Sequence, residues 1–122
     1  MDKTSEFNKN DIAENKVISC FAYMGLLFVM PLWGASDSPF ARFHANQGMV
    51  LFINEMVLSI MVFVSHILVM CNVLPDAMRV VRTVLLLILY LMMFIFVIFG
   101  MVNALRGKAK ELPLIGSIRI II

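Results

Sequence analysis

Charge is what this chain has least of. Only 15% of its 122 residues are Asp, Glu, Lys or Arg, against about 25% in a soluble globular domain. Ten basic and eight acidic residues leave a net charge of +2, and no basic cluster is interleaved with aromatics, which excludes a nucleic-acid binder. Cysteines number two, Cys20 and Cys71. Both lie in apolar stretches without a Cys-x-x-Cys or zinc-type spacing, so small buried or lipid-facing thiols are expected and no metal site. A Ser-His-Asp set, a phosphate-cradling glycine loop and a His-Glu-x-x-His pair are all missing, so neither an enzyme nor a cofactor is expected.

What the chain does have is hydrocarbon, at 61% apolar residues. Residues 83–105 carry no Asp, Glu, Lys, Arg or His across 23 positions. As a helix that run reaches about 34 Å, enough for a hydrocarbon core of about 30 Å. Two further runs, about 17–35 and 49–74, predict an all-α integral membrane protein of three spans. A four-helix variant arises if residues 40–74 fold back on themselves. Residues 1–16 form a polar N-terminal tail, 17–105 the membrane domain, and 106–122 a basic then apolar tail at the interface. The first run is too long for a signal peptide and carries Trp33 near its exit, which suits the headgroup zone. Ser36-Asp37-Ser38-Pro39 reads as a helix start, Gly48 as a bend, and Pro75-Asp76 as a stop. With three spans the lysines and arginines divide five against five, so orientation rests on a slight lean to an outside N-terminus and a cytoplasmic tail.

Polar residues inside the greasy runs are the candidate functional positions. Glu55 stands about two turns into the second run, where a charge facing lipid costs about 2.5–3.5 kcal/mol at the bilayer centre. His44, Glu55 and His66 recur every eleven residues, about three helical turns, so they share one face at intervals of about 16 Å. With Asn54 and Ser59 they predict a polar intramembrane seam, too spread to share a metal. Gly100, Asn103 and Ala104 predict close helix packing with a hydrogen bond across the contact. Arg106, Lys108 and Lys110 suit anionic headgroups.

Two segments, SPFARFHANQG (residues 38–48) and ALRGKAKELPLIGSIRII (residues 104–121), resemble small bacterial membrane proteins. That group is similar to the chloroplast inner-envelope import component of the Tic "twenty" type and is often filed as a domain of unknown function. The resemblance implies a helical protein of a multi-pass bacterial cytoplasmic membrane and a role in moving polypeptides or solutes. Its arginine-histidine-glutamine pattern falls on Arg42, His44 and Gln47, with Asn46 between them. The residues themselves suggest that Arg42 and His44 bind lipid phosphates or pair with Glu111, both motifs forming one polar cap.

The function expected is a non-enzymatic component of a transport or translocation assembly. A structural or regulatory adaptor that binds partner helices is the alternative, and a holin-like pore former a third. Three short spans enclose no roomy channel, so the expected partners are the lipid bilayer and further copies or other membrane proteins.

Overall fold

The computed structural model describes residues 1–121. Among these residues the regular structure is all helical, with a single isolated bridge pairing Asp2 and Lys110. Four α-helices follow in order: α1 (Lys9–Cys20), α2 (Val29–Gly34), α3 (Pro39–Met70) and α4 (Asp76–Leu105). Only α3 and α4, with 32 and 30 residues, are long and apolar enough to cross a membrane. They reach about 48 and 45 Å at the helical rise.

Local chemistry sets the helix ends. Ser38 Oγ accepts the Ala41 N–H at 3.0 Å, with Pro39 opening α3, the arrangement that satisfies a free first-turn donor. The far end comes four residues before Leu74, where the sequence suggested a stop. Asn72 turns left-handed at φ +54, while Val73 N–H reaches the Leu68 carbonyl and Asn72 N–H that of Val69, each at 3.1 Å. This double closure ends a helix without the proline. Gly107, at φ +68, repeats it for α4: Lys108 N–H donates to the Asn103 carbonyl at 2.8 Å and Gly107 N–H to that of Ala104 at 2.9 Å.

Residues 17–35, expected as one span, are not one helix. After α1 the chain makes 3-10 turns at Phe21–Tyr23 and Gly25–Phe28, then the short α2. Gly25 sits at φ +61, a left-handed geometry that glycine adopts freely and that no α-helix continues through. The chain therefore doubles back. Phe40 N–H donates to Asp11 Oδ2 at 3.1 Å, and Gly34 returns against the Ile18 side chain, so residues 9–34 form a helical hairpin that enters and leaves at one end of α3.

α3 runs unbroken through Gly48, where the sequence suggested a bend. Glycine serves packing there: a Cβ would run into the Ala22 carbonyl. The core is small and lies where the hairpin meets α3 and α4, around Tyr23, Leu51, Phe96, Ala104 and Leu112. Beyond it the long helices are bare. Of the most apolar stretch of each, only 22% and 17% is buried in the protein, and Phe63 and Leu87 are 68% and 65% exposed. Continuous apolar surface of this kind belongs against lipid.

The N-terminal tail lies at the same end as the C-terminal tail, because Lys3 N–H donates to the Ala109 carbonyl at 2.9 Å. With a hairpin in place of one long first helix, the 71–75 connection stands at the opposite end of the molecule from both tails, whereas three straight spans would set the two tails at opposite ends.

Candidate functional site

The tail after α4 contains proline and glycine and forms no helix, so its backbone donors and acceptors need partners from elsewhere. The first turns of α3 supply them. Asn46 Nδ2 donates to the Ile118 carbonyl at 2.8 Å, and its Oδ1 accepts from Ile120 N–H at 2.6 Å and Ile121 N–H at 2.8 Å. Gln47 Nε2 donates to the Gly116 carbonyl at 2.7 Å while Oε1 accepts the Leu112 N–H at 3.1 Å. Two amides spaced one residue apart thus hold five backbone groups of the tail.

His44 is fully buried, ringed by Phe40 and Phe43, with Nδ1 2.8 Å from the Tyr23 hydroxyl. Tyr23 in turn lies against Gly100, where a Cβ would strike its ring. One tyrosine therefore joins the hairpin to both long helices. The sequence pointed His44 at lipid phosphate or Glu111; neither holds, because the ring faces the interior. Glu111 instead pairs with Lys3 Nζ at 2.9 Å and with the terminal amine at 3.3 Å. Lys3, first, and then the amine hold its carboxyl below the usual range against the opposing effect of burial.

These contacts build a polar cap from the start of α3, the two tails and the mouth of the hairpin. A cleft of about 590 Å³ opens in it, with Lys3, Arg42, Arg119 and Glu111 among its lining. A neighbouring cleft of about 690 Å³ carries Glu6, Asp11, Glu14 and Asp37. Among the described residues no three His, Cys, Asp or Glu side chains are gathered closely enough to hold a metal ion. Arg106 and Lys108 are exposed and Lys110 half-buried beside the cap. Asn103 and Ala104 are buried under it.

The intramembrane seam does not assemble as one surface. Asn54 turns back to donate to the Val50 carbonyl of its own helix at 2.8 Å. His66 sits near the far end, where Nδ1 is 2.6 Å from Arg82 Nη2, and Arg82 Nε also donates to Ser65 at 2.9 Å. Glu55 and Ser59 line a groove of about 490 Å³ between α3 and α4, facing Tyr90, Met93 and Phe94. The three positions eleven apart therefore serve three sites: His44 the cap, Glu55 the groove and His66 the connection. Tyr23, Lys3 and Thr4, whose hydroxyl accepts the Ala109 N–H at 3.0 Å, carry no local mark in the sequence. The close approaches at Gly48 and Gly100 were the available signal, since a glycine inside a long helix often marks a packed neighbour.

A family model described as the magnetosome magnetite crystal formation protein family matches residues 14–121. This overturns the resemblance to the plastid import component: the same two segments lie inside a match to a different family. No curated protein and no solved structure matches the chain.

Proposed function

The chain belongs to the magnetosome magnetite crystal formation protein family, and from that premise we propose that it is a non-enzymatic membrane component of magnetite crystal formation, resident in the magnetosome membrane. The observation that carries this reading is the extent of the match, residues 14–121, which takes in both apolar helices and the C-terminal part of the cap. The helices anchor the chain, and the cap is the larger of its two polar ends, the smaller being the cluster of Arg79, Arg82, Ser65 and His66 at the connection. Moving cargo gives way to organising a membrane at which mineral forms. The adaptor form of that role draws support from the bare faces of α3 and α4, which leave room for further copies or partner helices.

The test is deletion of the gene in a magnetosome-forming cell, with crystal number and size scored by electron microscopy. Smaller, fewer or misshapen crystals, restored by the intact gene, are expected. Crystals indistinguishable from those of the parent strain overturn the reading.

A further inference from the structure

The helical mass of this protein is unequal at its two ends. At the cap end α1, the returning turns with α2, α3 and α4 stand side by side, whereas at the far end only α3 and α4 remain. Contacts fix how deep the hairpin reaches. Asp11 meets the Phe40 backbone at its mouth, Ala22 lies against Gly48, and Phe28 packs on Phe52 with ring centroids 5.8 Å apart. From Phe40 to Phe52 is about 18 Å along α3, and a further 27 Å or so to Met70 has no companion but α4.

Past Lys16 the hairpin is itself apolar on its outside: Leu26 is 65% exposed, Val17 56% and Trp33 86%. Its depth in a bilayer follows from the opposite end. Arg82, braced by Ser65 and His66, is a charge that stays within reach of headgroups. Counting about 30 Å of hydrocarbon back from that level ends some 20 residues earlier on α3, near residue 46. The apolar part of the hairpin begins at the same level, and its tip stops short of the midplane. It fills one leaflet.

We infer that this protein is a one-leaflet wedge that partitions to curved membrane with its cap on the convex face. Four helical columns, each about 10 Å wide, displace lipid in the cap-side leaflet against two in the other, and mass inserted into one leaflet makes binding curvature-sensitive. Charge reports the same sidedness independently. Of ten lysines and arginines, only Arg79 and Arg82 lie near the 71–75 connection; the other eight lie at or near the cap. That bias places the cap in the cytoplasm, and the cytoplasmic face of an intracellular vesicle is its convex face. The wedge acts on lipid alone; only the agreement between charge and curvature rests on the proposed residence in an intracellular vesicle.

The test uses the full chain reconstituted into vesicles of about 50 and about 400 nm, without iron, since curvature is the variable. In one preparation Ser5→Cys in a Cys71→Ser background is labelled from outside with a membrane-impermeant dye, counting copies whose cap faces out. In the other, native Cys71, exposed, counts copies facing the opposite way. The wedge requires cap-out labelling per unit lipid to be several-fold higher on the small vesicles and connection-out labelling to fall. Equal densities on both sizes, or the two labels changing together, overturn it. So does Ser117→Cys labelling from the side opposite Ser5→Cys, which would require an odd number of crossings.

Discussion

Gln47 offers the sharpest test of how the cap is held. It is 2% exposed and satisfies the Leu112 N–H and the Gly116 carbonyl with one amide. Gln47→Leu keeps the volume and leaves both groups buried without a partner, at about 1–3 kcal/mol each. Even the lower sum, about 2 kcal/mol, shifts an equilibrium roughly thirtyfold. The loss falls on the tail rather than on α3, whose helix does not use that side chain. Limited trypsin digestion of the detergent-solubilised chain reads it directly, because cleavage after Lys110 follows the population of the open tail when reclosing is fast. A rise of about thirtyfold or more is expected with helicity unchanged. Asn54→Leu is the control: its amide bonds only to its own helix and its loss leaves the tail closed. An increase in cleavage below about twofold for Gln47→Leu would show that the amide is not what holds the tail.

Gly100→Leu forces a side chain into the Tyr23 ring, an overpacking cost of about 1–3 kcal/mol; the denaturing-detergent midpoint should fall, and an unchanged midpoint would mean Tyr23 packs elsewhere. Acid should loosen the cap through Glu111. Its carboxyl is lowered in the folded chain by Lys3, so its contribution is intact above the ordinary glutamate value of about 4.3 and is lost as pH falls through the lowered folded value. Amide exchange in the tail should therefore rise below about pH 4 in the parent chain, while Glu111→Gln exchanges quickly at neutral pH and shows no such step.

The long apolar helices were legible because length and hydropathy alone decide what can cross a membrane, and the start of α3 because Ser38 and Pro39 are local signals. At residues 17–35 hydropathy and helix part for a physical reason. Hydropathy measures what a segment prefers as solvent, not whether it is straight, and residues 17–35 are apolar enough to span yet carry Gly25, whose left-handed φ reverses the chain. Period alone failed for the polar stripe too. His44, Glu55 and His66 do share a face of α3, but α3 changes neighbours along its length: hairpin and tail first, α4 in the middle, Arg82 at the end. A stripe becomes a seam only where one partner runs beside it throughout. Tyr23 carries no local mark of a hydroxyl that reaches a histidine 21 residues away, and Gly100 opposite its ring was the one signal of a bulky neighbour.

The placement of Asn46 and Gln47 follows from the tail. An irregular segment near a membrane must satisfy its backbone within the protein, since lipid offers no partners. The tail after Gly107 is irregular and its isoleucines and leucines draw it toward the bilayer, so it needs amides at matching height. Asn46 and Gln47 supply five bonds there, and they do so from a rigid helix whose side chains hold their positions. The polar motif at the start of α3 and the apolar tail thus solve one problem together. Each alone is a liability, an amide pair buried without partners or an unpaired backbone near lipid, and this is why Asn46 and Gln47 are buried together at one end of a protein otherwise built for hydrocarbon.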